Sequence, residues 1–277
     1  MRHRQANSRA ARAALILAAW FLGGAAPVPA VPTRIGPPSN QYDDCLAETR
    51  RDPKAAFATA ENWRQAGGGF PAQHCAAIAL LGLKQYAEAA KRLEELAGIM
   101  MRQPAELRAG ALDQAGQAWL LAGNPAAAKI DFDGALTFAP RNAEFLIDRA
   151  EAYTDAGRYW EAIDDLNRAL DLAPKNPIAL LYRASAYRNA GGDDGLELAL
   201  ADAEAALKLE PDWSPALLER GNIRRLKGDT KGARADWERV QQLAPNSAAA
   251  EYARNNLAHI GENPAAARLL TDTPADR

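Results

Sequence analysis

The sequence has few of the residues that build catalytic or metal centres. Its 277 residues include two cysteines and three histidines, and aromatic residues make up only 7%. Motifs for dinucleotide binding, phosphate binding, a serine nucleophile or a zinc protease are missing from it. We therefore expect no enzyme activity, no metal and no other cofactor. Alanine and leucine provide much of the 48% hydrophobic share, and their high helix propensity favours a helical protein.

The N-terminus lacks acidic residues. Residues 1–30 contain four arginines and no aspartate or glutamate, whereas the whole chain has a formal net charge of −2. Without those residues the charge would be −6, from 29 basic and 35 acidic side chains. Nonspecific nucleic-acid binding requires a basic surface, so for this mildly acidic chain we expect no nucleic-acid partner.

The same N-terminal region has the order of a secretory signal. Basic residues 1–12 precede an uncharged and mostly apolar run, Ala13 to Ala26, and small residues follow around Ala30. As a helix the run would span about 21 Å, less than the ~30 Å hydrocarbon core of a membrane. We predict cleavage near Ala30, a periplasmic protein and no membrane contact after cleavage, with an uncleaved membrane anchor as the alternative. Residues 31–40 hold three prolines and are predicted to be a linker.

A repeat of about 34 residues organises most of the remaining chain. Prolines end similar phrases at Pro140, Pro174, Pro211 and Pro245, with separations of 34, 37 and 34 residues. Before each proline come a small residue, a glycine and a residue of a second helix, which is bulky in three repeats. Their spacing is constant except in the third repeat, which has three extra residues after its glycine. The small residues are Gly116, Ala150, Ala184 and Gly221. The glycines are Gly123, Gly157, Gly191 and Gly228. The second-helix residues are Phe132, Leu166, Ala203 and Trp237. The pattern predicts two helices per repeat, joined at the glycine, with small residues opposite large ones.

This spacing and residue set resembles the tetratricopeptide repeat (TPR) family, and residues 105–245 hold four TPR-like repeats. The resemblance implies an all-α fold, a right-handed superhelical solenoid of TPR-like helical hairpins, with a groove lined by the first helix of each hairpin. Residues 41–104 match more weakly and are predicted to form N-terminal degenerate helical hairpins. Residues 246–260 are predicted to be a capping helix, which such repeats need for solubility, and residues 261–277 a flexible tail.

An arginine and an aspartate recur at matching positions of three repeats. The pairs are Arg149 and Asp165, Arg183 and Asp202, and Arg220 and Asp236. Because a guanidinium group fits a carboxylate bidentately, we predict structural bridges within each hairpin or between neighbouring hairpins. A row of arginines that binds a ligand is the alternative. Asp131 takes the aspartate site in the first clear repeat, where Ala115 replaces the arginine.

The two cysteines, Cys45 and Cys75, lie in predicted first helices of successive hairpins. Export to an oxidising compartment makes a disulfide chemically reasonable, and these helices would be neighbours in a TPR-like stack. We therefore predict a disulfide, with two unpaired buried thiols as the alternative. His74 and His259, which remain after signal cleavage, are too far apart along the repeats to share a metal site.

The TPR-like groove is where we expect function to be located. By register, its candidate residues are Gln117, Glu144, Ile147, Glu151, Asp155, Leu181, Arg188, Asn222 and Arg225. They are acidic in the middle of the chain and basic towards the C-terminus, which would suit an extended peptide with a charge gradient; a solvated face without a ligand is the alternative. We expect a non-enzymatic scaffold that binds a peptide segment or subunit of unknown identity in the bacterial periplasm. The alternative function is an accessory subunit of an envelope enzyme or of a secretion or assembly complex.

Overall fold

The computed structural model describes residues 40–260. The predicted signal peptide, the linker before Asn40 and the predicted tail lie outside these residues. Within residues 40–260 all regular secondary structure is helical, in 13 helices, and this part of the chain contains no strand. The all-α fold predicted from the sequence is confirmed.

The described chain divides into two compact units, residues 40–172 and residues 173–260. The first unit consists of four helical hairpins. Its helices are α1 (Asn40–Arg51), α2 (Pro53–Gln65), α3 (Gly69–Gly82), α4 (Tyr86–Ile99), α5 (Ala105–Leu121), α6 (Pro125–Phe138), α7 (Ala143–Asp155) and α8 (Tyr159–Leu172). The odd-numbered helices are the first helices of the hairpins; α1 contacts α3, and α5 contacts α7. We call the surface to which these first helices contribute the first-helix face.

The second unit consists of two hairpins and a final single helix. Its helices are α9 (Pro177–Ala190), α10 (Asp193–Leu209), α11 (Ser214–Leu226), α12 (Thr230–Leu243) and α13 (Ala248–Ala258). The first helices α9 and α11 contact each other, and α13 packs against both helices of the last hairpin. Three alanines of α13 are buried there, so this helix covers the apolar side of the hairpin it follows.

Five of the six turns inside the hairpins of the described chain contain a left-handed backbone position. In four of them this position is a glycine: Gly123, Gly157, Gly191 and Gly228, with φ between 74° and 87°. In the hairpin of α3 and α4 it is Lys84, whose φ is 58°. The same reversal forms there, because Gln85 N–H donates to the carbonyl of Leu80 and Lys84 N–H to that of Leu81. A left-handed conformation costs free energy for a residue with a Cβ, so this turn is less stable than the turns that contain glycine.

Helix starts follow from prolines and short polar side chains. Pro53, Pro125 and Pro177 occupy the first position of α2, α6 and α9, where a missing N–H has no cost. The side-chain oxygens of Asn142 and Asn176 each accept two backbone N–H groups at the start of α7 and α9. These local signals fix where each hairpin begins.

Small residues in the first helices allow close contact with large residues in the second helices. Gly116 of α5 faces Phe132 of α6, and a Cβ placed on Gly116 would lie 2.6 Å from the phenyl ring. The next hairpin has Ala150 and the smaller Leu166 at the same positions, and all of these side chains are fully buried. Interiors are close-packed, so an increase in volume on one helix is matched by a decrease on its partner.

Candidate protein-binding surface

Helices α5 and α7 place three acidic side chains together on the first-helix face of the first unit. We call Asp113 of α5 and Glu144 and Asp148 of α7 the acidic cluster. Gln117, one turn after Asp113, connects the two helices: its Nε2 donates to Asp113 Oδ2 (3.0 Å) and to Asp148 Oδ2 (2.9 Å). A single amide thus bridges two carboxylates that belong to successive hairpins.

The acidic cluster is held in an environment that disfavours its charge. Burial raises the pKa of Asp113 well above its ordinary value, and the charges of Asp148 and Glu144 raise it further. Burial also raises the pKa of Asp148, to about 6, whereas the hydrogen bonds from Gln117 and Asp113 oppose this change. Asp113 is only 7% exposed, and its Oδ1 atom is buried and accepts no hydrogen bond from residues 40–260. The raised pKa favours the protonated form of Asp113, which shares a hydrogen bond with Asp148, so the two carboxyl groups connect α5 to α7 directly.

The groove residues predicted by register differ in accessibility. Three of those in the first unit are exposed: Gln117, Glu144 and Asp155. Three others are buried: Ile147, Glu151 and Leu181. The expectation that all of them form the wall of an open groove is therefore corrected for the buried three, which pack against neighbouring helices. Register gives the direction of a side chain from its own helix, whereas burial depends on the next hairpin.

The second unit carries a paired charge on its first-helix face. Arg188 Nε of α9 donates to Glu219 Oε1 of α11 at a distance of 2.6 Å. Asn222 of α11 accepts a hydrogen bond of 2.8 Å from Asn256 of α13. Burial, together with the nearby charge of Arg188, lowers the pKa of Arg225. Arg188 and Asn222 thus already have partners inside their own unit.

The recurring arginines and aspartates form bidentate pairs within the hairpins. In each pair the arginine Nε and Nη2 atoms donate to the two oxygens of the aspartate. The two distances are both 2.7 Å for Arg149 and Asp165, and 2.7 and 2.8 Å for Arg183 and Asp202. For Arg220 and Asp236 they are 2.9 and 2.6 Å. Arg149 also donates to Asp133 Oδ1 of the preceding hairpin at 2.7 Å. The guanidinium groups therefore join helices to one another, which is the structural role expected of them.

The first clear repeat keeps the aspartate of this pattern without its arginine. Asp131 is buried, and its Oδ2 atom accepts no hydrogen bond within the described residues. Burial raises its pKa to about 8, and the neighbouring Glu94 contributes to the increase. Glu94 is held in place by Trp119, whose Nε1 donates to Glu94 Oε1 at 2.5 Å. Ala115, which replaces the arginine, offers no compensating charge.

A disulfide and a buried hydrogen-bond chain connect the first helices of the N-terminal hairpins. Cys45 of α1 is bonded to Cys75 of α3, with a Cα–Cα distance of 6.2 Å. Beside it, His74 Nδ1 lies 2.5 Å from the hydroxyl of Tyr42, and His74 Nε2 lies 2.6 Å from Gln114 Oε1 of α5. Since Gln114 Oε1 only accepts, Nε2 carries the proton and Nδ1 accepts from Tyr42. Burial lowers the pKa of His74 to about 4, so the ring is neutral.

The acidic cluster and the histidine chain were not predicted from the sequence. One signal in the sequence points towards them: each of the four clear repeats has a polar residue immediately before the arginine site. These residues are Gln114, Asp148, Tyr182 and Glu219. Gln114, Asp148 and Glu219 form hydrogen bonds to another hairpin, so this position marks contacts between successive repeats.

Neither a metal site nor a membrane span is found among residues 40–260. No three histidine, cysteine, aspartate or glutamate side chains in this range are arranged to hold a metal ion. Of the two histidines there, His74 is buried in the first unit and His259 lies in the second unit. None of the described helices is long and apolar enough to cross a membrane.

Comparison with known proteins identifies related repeats. A family model described as a TPR repeat matches residues 150–191. The chain is 31% identical to the first TPR domain of the human RPAP3 protein, over 46% of this chain and 95% of that chain, with a TM-score of 0.40. A search of curated proteins gives no match.

Two solved bacterial structures share the fold at lower sequence identity. A tetratricopeptide repeat protein from Parabacteroides merdae is 18% identical, over 79% of this chain and 82% of that chain, with a TM-score of 0.60. MamA from Desulfovibrio magneticus RS-1 is 16% identical, over 62% of this chain and 97% of that chain, with a TM-score of 0.51.

The described chain is an all-α repeat protein made of helical hairpins. It belongs to the class of TPR-type scaffolds for protein–protein interaction. Within that class, the TPR repeat model that matches residues 150–191, together with the fold shared with a solved tetratricopeptide repeat protein, shows the family. The chain belongs to the tetratricopeptide repeat family, as its repeat pattern predicted.

Proposed function

We propose that this protein is a non-enzymatic TPR scaffold of the bacterial periplasm that binds a protein segment on its first-helix face. The observation that carries the proposal is the acidic cluster. Three carboxyl groups converge there on two neighbouring first helices, and Glu144 is open to solvent. Gathering carboxyl groups in this way raises their pKa values and costs folding free energy, and a protein segment that binds there would recover part of that cost.

Two features support the periplasmic location. The N-terminal sequence has the basic, apolar and small-residue order of a signal peptide. The bond between Cys45 and Cys75 is of the kind that persists in oxidising compartments such as the periplasm. Fractionation of a bacterial host that expresses the complete sequence, with N-terminal sequencing of the product, tests this part. A periplasmic product that begins near Val31 is expected; a membrane-bound product that retains residues 1–30, or a cytoplasmic one, would contradict it.

Site-specific photocrosslinking in the native host tests the binding function. A photoreactive amino acid replaces Asp155, which is exposed on α7, and in a second strain it replaces Asp164, which is exposed on α8. We expect a discrete envelope protein to crosslink from position 155 and not from position 164. Equal products from both positions, or no product from position 155, would contradict the proposal. A single stoichiometric product that belongs to an enzyme or secretion complex would instead identify an accessory subunit.

A further inference from the structure

Arg225 of α11 lies on the first-helix face of the second unit without an acceptor for its guanidinium group. The side chain forms neither a hydrogen bond nor an ion pair with any group of residues 40–260. It is only partly exposed, and burial together with the charge of Arg188 lowers its pKa. A guanidinium group has five N–H donors, which normally gain acceptors when water is removed from them. Arg225 therefore presents donors that the described chain leaves unused.

The preceding hairpin shows how an arginine at the same repeat position is neutralised within the chain. Arg188 occupies in α9 the position of Arg225 in α11, four residues after the small residue of its repeat. Its Nε donates at 2.6 Å to Glu219, which belongs to α11, the next first helix along the chain. An arginine at this position is thus satisfied when the next first helix carries a carboxylate.

The helix that follows the hairpin of Arg225 has no such carboxylate. Asn222 of α11 and Asn256 of α13 are one repeat length of 34 residues apart and share a hydrogen bond of 2.8 Å, so α13 lies beside α11 as a first helix does. Three residues before Asn222 stands Glu219, and three residues before Asn256 stands Ala253. The alanine is buried and has no side-chain acceptor. The position that would supply the acceptor for Arg225 is therefore apolar.

Asn222 adds a second unused donor to this surface. Its Oδ1 accepts the hydrogen bond from Asn256, whereas its Nδ2 donates to no group of the described chain. Residues three apart on a helix are neighbours on its surface, so Nδ2 and the guanidinium group of Arg225 are available to one ligand. Glu219 is already paired with Arg188, so the positive charge of Arg225 is left without a counter-charge.

We propose that Arg225 and Asn222 bind an acidic side chain, an aspartate or a glutamate, of the protein segment that the scaffold holds. This inference rests on the proposed function and gives the chemistry of the partner. Two parallel N–H groups of a guanidinium match the two oxygens of a carboxylate, and Nδ2 of Asn222 provides a further donor. Because the guanidinium group is partly buried, salt screens this contact less than it screens a contact on an open surface.

Fluorescence anisotropy with defined peptides tests this inference. The protein purified from cells that express the complete sequence is titrated, at physiological salt, into a fluorescein-labelled peptide in which three glutamates alternate with three serines. A second peptide has glutamine in place of each glutamate, which keeps the shape and removes the charge. We expect the glutamate peptide to bind about tenfold more tightly than the glutamine peptide, because charged hydrogen bonds are the stronger ones.

Charge-neutral variants locate the binding. Arg225→Gln is expected to weaken binding of the glutamate peptide about tenfold and to leave binding of the glutamine peptide unchanged. Arg234→Gln removes the same charge from the exposed surface of α12 and is expected to change binding less than twofold. If both variants weaken binding equally, or if the glutamine peptide binds as tightly as the glutamate peptide, the inference is wrong.

Thermal unfolding separates a binding role of Arg225 from a structural one. Because its guanidinium group has no partner in the described chain and lies near the charge of Arg188, Arg225→Gln is expected to keep or raise the unfolding midpoint. Circular dichroism measures the midpoint of the wild type and of the variant. A midpoint that falls together with the affinity would show that Arg225 serves folding, and would overturn the inference.

The partner crosslinked from position 155 allows a test with the natural ligand. This partner is purified and titrated against the wild type and against Arg225→Gln. Binding that is about tenfold weaker to the variant supports the inference. Equal binding to both proteins leaves the proposed function intact and refutes recognition of an acidic side chain by Arg225.

Discussion

The indole of Trp237 packs directly on the backbone of Gly221. A Cβ placed on Gly221 would lie 2.5 Å from Nε1 of this ring, and Trp237 is fully buried. The equivalent pair in another hairpin is Ala150 with Leu166, in which the first residue is larger and the second smaller. In these two hairpins a larger residue on the second helix thus accompanies a smaller residue on the first.

We therefore expect Gly221→Ala to lower the free energy of unfolding by about 1–3 kcal/mol, because the methyl group has no space beside Trp237. Combining it with Trp237→Leu, which recreates the pair of Ala150 and Leu166, is expected to cost less than the sum of the two single changes. Urea unfolding followed by circular dichroism measures the three variants. Gly98→Ala, at an open position of α4, is the control, and additive effects at Gly221 and Trp237 would contradict the interpretation.

Removal of Asp165 tests the arginine and aspartate pairs. Its carboxylate accepts from two nitrogens of Arg149 and from Arg168, and only 5% of its side chain is exposed. Asp165→Ala leaves Arg149 with Asp133 as its remaining acidic partner, so we expect a loss of about 3 kcal/mol in the free energy of unfolding. Asp164→Ala, on the exposed side of the same helix, should have almost no effect. An Asp165→Ala protein as stable as the wild type would rule out a structural role.

Replacement of Asp131 is expected to increase stability at neutral and basic pH. Its pKa is about 8 in the folded protein against an ordinary value of 3.8, so between pH 4 and pH 8 the unfolded chain loses a proton that the folded chain retains. The free energy of unfolding therefore falls as the pH rises through this range. Asp131→Asn removes this decrease and should stabilise the protein by on the order of 2 kcal/mol at pH 8.

Unfolding midpoints of the wild type and of Asp131→Asn, measured from pH 5 to pH 8, test this expectation. The difference between them should grow with pH. Asp171→Asn, at an exposed position of α8, serves as the control and should show the pH dependence of the wild type. A constant difference between the wild type and Asp131→Asn would show that Asp131 titrates normally.

His74 should make the protein sensitive to acid. Its pKa is about 4 in the folded state and 6.5 ordinarily, so below pH 6.5 the unfolded chain binds a proton that the folded chain does not. The free energy of unfolding is thus expected to fall by about 3 kcal/mol between pH 6.5 and pH 4. His74→Gln should reduce this slope, whatever its stability at pH 7, whereas His259→Gln should keep it. Equal slopes in all three proteins would exclude His74 as the cause.

The disulfide is expected to stabilise the N-terminal hairpins. In the chain-entropy description, a loop with the 30-residue separation of Cys45 and Cys75 contributes roughly 3–4 kcal/mol. Reduction should lower the unfolding midpoint of the wild type and leave that of the Cys45→Ser, Cys75→Ser double variant unchanged. Titration of the unfolded, unreduced protein should find no thiol, and two thiols would show that the cysteines are unpaired.

The type of fold could be predicted from the repeat pattern, because that pattern is a local property of the chain. The proline separations, the turn glycines and the alternation of small and large residues define helical hairpins wherever they occur. Recurrence of Arg149, Arg183 and Arg220 at one register also indicated paired charges. The weak turn at Lys84 shows the limit of this reasoning, because the chain makes the same reversal without the glycine.

The side chains that the first-helix face presents could not be predicted, because they depend on how successive hairpins pack. Asp113 and Asp148 occupy different registers of different repeats, so no comparison of equivalent positions brings them together, and Gln117 does so across two helices. The burial of Ile147 and Glu151 likewise depends on neighbouring side chains. Periodicity fixes how each helix is oriented within its hairpin. Charge and exposure at the surface depend instead on the distances between side chains of successive hairpins. Those distances are set only when the hairpins pack against each other.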